Sequence, residues 1–66
     1  MKILVNGEER ELPAALSVAD YVTSLGLDPE SVVVELDGVI LKRPEYGERR
    51  LTSGCTLELI RFIGGG

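Results

Sequence analysis

The sequence predicts an α+β fold, with a mixed sheet of four to five strands and one helix packed on one face. Three observations carry that expectation. Asn6-Gly7 and Asp37-Gly38 each separate two strand-like runs, and such pairs are favoured in two-residue hairpin turns. Between the two hairpins lies a single stretch with helical spacing of apolar residues. After the second hairpin the chain returns in a last apolar run of β type, Leu57-Glu58-Leu59-Ile60-Arg61-Phe62-Ile63. Sixty-six residues with 44% hydrophobic content hold one small domain with a small core.

Each element has a local cause. Residues 2–5 read as a strand, and residues 8–12 as its return across Asn6-Gly7. The return is polar (Glu8, Glu9, Arg10, Glu11), which suits a sheet edge that must discourage aggregation. Pro13 ends it, because proline cannot donate to a ladder. Ser17 reads as a helix N-cap accepting from the amide of Asp20, whose charge favours the first turn. Leu16 is placed to pack on Tyr21 across the cap. Val18, Val22 and Leu25, at i, i+4 and i+7, form one apolar stripe. Gly26 closes the helix and Asp28-Pro29 prevents its continuation. Residues 31–36 contain the β-branched run Val32-Val33-Val34, and Asp37-Gly38 turns it into residues 39–41. Residues 42–47, with Pro44 and Tyr46, read as a loop or one short turn, and residues 49–51 as a brief extended segment. Ser53-Gly54 turns the chain into the final strand, residues 56–63.

One helix cannot cover both faces of a sheet, so one face is left wetter. Placing the first and last strands side by side and parallel at the centre, with the hairpins outside, gives a β-grasp. Residues 1–63 form that domain and residues 64–66 a glycine tail.

Composition excludes most chemistry. With no histidine, nucleophile–base pairs of the Ser-His or Cys-His kind are impossible. Cys55 is the single cysteine, which cannot start a zinc site or close a disulfide within the chain. A reactive thiol needs cationic or helix-terminal neighbours, and the sequence places none beside it, so Cys55 reads as a small packing residue. Tyr21 and Tyr46 read the same way. The net charge of −4 argues against nucleic acid, whose phosphates demand a basic face. Lys42-Arg43 and Arg49-Arg50 are flanked by Glu45 and Glu48 and read as solvated loop. No signal peptide or membrane-spanning run is seen, and the expected setting is cytoplasmic. No metal or cofactor is expected to be bound by the chain itself, and the chain is not expected to be an enzyme.

The ending is the chemically distinctive feature. Glycine carries the largest conformational entropy, so Gly64-Gly65-Gly66 cannot be aiding the fold. They form a thin tail that fits a narrow active site of another protein, and its last carboxylate can be modified there. Frayed termini and cloning scars give similar tails, and that alternative stands beside the functional one. On the last strand Leu57 and Leu59 share a face with Arg61 and read as core. Ile60 and Phe62 share the other face with Glu58, an apolar patch beside the tail suited to docking a partner.

The β-grasp order, the chain length and the ending Leu57-Glu58-Leu59-Ile60-Arg61-Phe62-Ile63-Gly64-Gly65-Gly66 resemble the ThiS family, the sulfur carriers of thiamin biosynthesis. The opening Met1-Lys2-Ile3-Leu4-Val5-Asn6-Gly7-Glu8 is similar to the family's first strand and turn. Val32-Val33-Val34-Glu35-Leu36-Asp37-Gly38-Val39-Ile40 is similar to its middle hairpin, and Arg43-Pro44-Glu45-Tyr46 to the segment that follows. Members often carry Gly-Asp before the last strand, where this chain has Gly54-Cys55. The end of the chain resembles ubiquitin more distantly.

The resemblance implies that the Gly66 carboxylate is adenylated by a ThiF-like enzyme using Mg-ATP. A persulfide donor then turns it into a thiocarboxylate, and a ThiG-like thiazole synthase takes the sulfur. Gly64, Gly65 and Gly66 would enter the partner's active site, with Phe62 and Ile60 as partner-binding residues. Other sulfur carriers share this fold, for molybdopterin synthesis, tRNA thiolation or cysteine synthesis. A ubiquitin-like modifier would begin with the same tail chemistry and differ only in its acceptor, a lysine amine. An interaction module with an inert tail is the third class.

Overall fold

A computed structural model describes residues 1–61. Its elements are β1 (Lys2–Val5), β2 (Glu8–Glu11), α1 (Val18–Ser24), β3 (Val32–Leu36), β4 (Val39–Ile40) and β5 (Thr56–Arg61). Short 3-10 turns occupy Pro29–Ser31 and Arg43–Gly47. The strands form one five-stranded sheet in the order β2-β1-β5-β3-β4. β1 and β5 are parallel at its centre and the two hairpins lie outside, as expected. Both hairpins turn on backbones with positive φ, Asn6 (49°) with Gly7 (81°) and Asp37 (49°) with Gly38 (85°). Asn and Asp tolerate this region better than other non-glycine residues, which is why these pairs mark the turns.

α1 lies on one face of the sheet. Ser17 caps it, with the Asp20 N–H donating to Ser17 Oγ at 3.0 Å. Val18, Tyr21 and Val22 are buried and meet Ile3, Val5, Val32, Val34 and Leu57 in one core. Leu25 departs from the expected stripe. It is the C-cap residue and is 46% exposed, because the helix ends before its stripe completes a third turn. Tyr21 supplies the missing apolar mass. Leu12 lies one residue beyond β2, yet is buried and donates its N–H to the Met1 carbonyl at 2.8 Å. Residues 49–51 pair with the segment entering α1 rather than with the sheet: Val18 N–H donates to Arg49 O, and Leu51 N–H to Leu16 O, both at 2.9 Å. The turn at Pro29–Ser31, capped by Asp28, was not expected from the sequence. Cys55 is buried directly before β5, as a packing residue should be.

Tyr46 does more than fill space. β4 is only two residues long, so it leaves the start of β3 without a partner strand on that side. Leu41 N–H reaches the Val34 carbonyl at 2.9 Å, and Tyr46 supplies what remains. Its hydroxyl donates to Val32 O at 2.7 Å and accepts from Val34 N–H at 3.2 Å, all in the interior. The Arg43 guanidinium lies 5.7 Å from the centre of the Tyr46 ring, and its Nη1 donates to Pro29 O at 3.3 Å. Tyr46→Phe keeps the ring but leaves two buried backbone groups unsatisfied. It is expected to cost about 1–3 kcal/mol, read as a lower urea midpoint with an unchanged slope.

Glu45 holds the second 3-10 turn. Its Oε1 accepts from Lys42 N–H at 2.8 Å, and Arg49 Nη2 donates to its Oε2 at 3.5 Å. The backbone hydrogen bond first, and the Arg49 and Lys42 charges after it, hold the carboxyl below the ordinary glutamate range against opposing desolvation. A carboxyl with a folded pKa below its unfolded one adds stability above the unfolded value and loses it as pH falls through the folded value. Wild type is therefore expected to exceed Glu45→Gln slightly in urea midpoint at neutral pH. The gap closes once pH drops below the ordinary glutamate range.

Candidate functional site: the open sheet face and the end of β5

The register defines which side chains face away from α1. Leu36 pairs with the fully buried Leu57, so the neighbouring pair Glu35 and Glu58 points to the opposite face. Val33 opposite Ile60, Ile40 opposite Glu35, and Leu4 opposite Thr56 join them there. Ile60 is 55% exposed, Ile40 66% and Leu4 40%. The expected position of Ile60, an apolar side chain on the helix-free face near the end of the chain, is what the structure shows. Leu57 is core and Leu59 is partly buried against it, also as expected. Phe62, Gly64, Gly65 and Gly66 lie outside the described residues.

β5 is held along its length by both neighbours. On one side β3 pairs with it antiparallel as far as Arg61, which faces Val32. On the other side β1 pairs parallel at Leu4–Thr56 and Val5–Leu57, then turns away at Asn6. The Asn6 side chain takes over from the departing backbone: Leu59 N–H donates to Asn6 Oδ1 at 2.8 Å. At the opposite end Thr56 N–H donates to Asp37 Oδ1 at 2.8 Å, and Asp37 N–H donates to Thr56 O at 2.8 Å. Two turn residues thus brace β5 with their side chains as well as shaping their own hairpins. Alternation in the sequence could not reveal these roles, which depend on contacts 53 and 19 residues apart.

The electrostatics of the open face were also invisible in the sequence. Glu35 and Glu58 are both partly buried and stand directly opposite each other across β3 and β5. Among the described residues, the ion pairs are Met1–Glu11, Arg10–Glu8 and Arg49–Glu45, so neither Glu35 nor Glu58 has a counter-ion. Asp37 adds a third carboxylate at the edge of the same shallow depression. Among these residues no group of side chains is arranged to hold a metal ion, and no helix is long and apolar enough to cross a membrane.

A five-stranded mixed sheet around one helix, with parallel first and last strands at its centre, defines a ubiquitin-like β-grasp protein. The family model of the ThiS family matches residues 3–66, and the chain belongs to that family. The crystal structure of the thiamine biosynthesis protein ThiS from Geobacter metallireducens is similar over the whole of both chains, at 30% identity and a TM-score of 0.85. The solution structure of a thiamine biosynthesis protein from the same organism gives 0.82, with 100% of this chain and 88% of that one covered. Among curated proteins, thiazole synthases of Paramagnetospirillum magneticum and Magnetococcus marinus are 38% and 36% identical over 66 residues. This chain spans a fifth of the length of each, 20%.

Proposed function

We propose that this protein is a sulfur carrier for thiazole formation in thiamin biosynthesis, acting through a thiocarboxylate at Gly66. The observation that carries the reading is the match to the ThiS family over residues 3–66, which includes the glycine ending. The thiazole synthases that contain a similar segment support the choice of pathway and of the receiving enzyme.

A carboxylate is a poor electrophile, since its charge repels nucleophiles and oxide is a bad leaving group. In the proposed first step a Gly66 oxygen attacks the α-phosphorus of ATP, pyrophosphate leaves, and an acyl-adenylate forms. A ThiF-like adenylyltransferase supplies the Mg-ATP and the site. A persulfide sulfur then attacks the acyl carbon and AMP departs. A second thiol cleaves the resulting S–S bond, becoming oxidised to a disulfide and releasing the Gly66 thiocarboxylate. The carrier contributes no acid or base to these steps; its part is an unhindered acyl carbon on a backbone without Cβ atoms. The enzyme's grip on the domain turns a bimolecular attack into a held one.

ATP–pyrophosphate exchange by a ThiF-like adenylyltransferase tests the first step. Exchange should depend on this protein and vanish when Gly64, Gly65 and Gly66 are deleted together. Exchange that persists without the three glycines would remove the basis for the carrier reading. Attachment of the activated chain to lysines, read as a ladder of conjugates, would favour a protein modifier instead.

A further inference from the structure

Resting on the carrier reading above, we propose that Asn6 is a positioning residue for transfer at Gly66: its side chain holds Leu59 and so sets the direction in which β5 leads into the glycines. The two edges of β5 are supported unequally. β3 pairs with it antiparallel as far as Arg61, whereas backbone support from β1 stops where Asn6 N–H donates to Leu57 O at 2.9 Å. The chain then enters its first hairpin turn, with Asn6 and Gly7 both at positive φ. Beyond Leu57, among the described residues, the β1 side of β5 is held by one side chain only, that of Asn6.

The Asn6 amide lies against the Leu59 peptide as a further strand residue would. Leu59 N–H donates to Asn6 Oδ1 at 2.8 Å, and Asn6 Nδ2 donates to Leu59 O at 3.5 Å. The shorter contact is the stronger one and carries the role. Asp37 shows that a carboxylate oxygen serves equally well, because its Oδ1 accepts from Thr56 N–H at 2.8 Å at the start of the same strand. Position 6 therefore requires an acceptor on a short side chain that tolerates positive φ, which Asn and Asp both offer. A strand end paired on one edge alone can twist about that ladder, and the twist is carried along the chain toward the reacting carboxylate. Attack at Gly66 depends on placement to within about 1 Å. Support from both edges at Leu59 fixes the root of the glycine segment before the enzyme binds it, so less ordering is left to the complex.

ATP–pyrophosphate exchange by the ThiF-like adenylyltransferase, followed across carrier concentrations, tests the assignment with Asn6→Gly, Asn6→Asp and Ser17→Ala. Asn6→Gly keeps the turn, since Gly-Gly also favours it, and removes the brace. It should lower kcat roughly tenfold with KM unchanged. Asn6→Asp retains the acceptor and should stay within about twofold of wild type. Ser17→Ala removes the cap of α1, which lowers the melting temperature without touching β5, and should leave kcat as it is. Amide hydrogen exchange of the carrier alone reads the brace itself. In Asn6→Gly the Leu59 amide should lose protection, while that of Ile60, opposite Val33 on β3, keeps it and reports an intact fold.

Wild-type kcat in Asn6→Gly overturns the proposal, and so does a Leu59 amide that stays protected in that variant. A rise in KM at constant kcat also overturns it, because Asn6 would then be a contact for the enzyme. An equal loss of kcat in Asn6→Asp or in Ser17→Ala has the same force, tracing the effect to something other than the acceptor. Absence of exchange with wild type sinks the carrier reading and this assignment with it, whereas none of the variant results touches that reading.

Discussion

Gly65→Val is expected to leave the domain folded and to lower adenylation at Gly66 about 10²-fold. Position 65 comes four positions after Arg61, the last residue of β5, and none of the core residues that hold the domain together is near it in the sequence. The unfolding midpoint should therefore match wild type. A β-branched side chain at this position stiffens the backbone and adds bulk beside the reacting carboxylate. A displacement of about 1 Å at a reacting group can cost 10²-fold in rate. ATP–pyrophosphate exchange measures the loss directly. Wild-type exchange by the valine variant would mean that the partner's site is not a narrow channel, and the explanation of the glycines would fall.

Leu57→Ala is expected to have the largest effect on folding. Leu57 is fully buried at the centre of the sheet, flanked by Val5 on β1 and Leu36 on β3. Truncating a buried leucine costs about 2–5 kcal/mol through lost transfer energy and the cavity left behind. At roughly 0.05–0.15 kcal/mol per residue, a domain of this size has a total stability of the same order. Urea unfolding should therefore show a variant that is partly or wholly unfolded at 25 °C. The exposed Ile60→Ala on the same strand should shift the midpoint little, and the contrast assigns the effect to the core. Equal losses at the two positions would contradict the assignment of faces on β5.

The architecture could be read from the chain because its signals are local. The two Asx-Gly turns, the Ser17 cap and the run of valines each depend on residues a few positions apart. Even the parallel central pairing followed, since one helix and two hairpins leave few ways to assemble a sheet. Tertiary structure overrides the local pattern at Leu25, and elsewhere adds contacts that no local pattern carries. Leu25 fits the helical stripe, yet the helix ends under it and it stays exposed. Residues 49–51 are extended, as expected, and the partner they take, the entry to α1, is one that no local pattern could show. Tyr46 packs in the core, as expected, and the shortness of β4 also gives its hydroxyl two backbone partners.

For the candidate site the division runs the same way. Ile60 could be placed on the open face from strand alternation alone. The opposition of Glu35 and Glu58 could not, because it requires the register between strands more than twenty positions apart. Asn6 shows both levels at once: its turn propensity is a property of the dipeptide, while its hydrogen bond to Leu59 belongs to the fold.

The most direct test of the carrier reading is the mass of the C-terminal fragment after incubation with the adenylyltransferase, Mg-ATP and a persulfide donor. Exchanging oxygen for sulfur changes the mass by nearly as much as oxidising Met1 or Cys55, so the change must be localised to the fragment ending in Gly66. A sulfur-for-oxygen exchange in that fragment, absent when ATP is withheld, is the predicted result. A folded protein whose Gly66 fragment keeps its carboxylate mass with every component present would contradict the account.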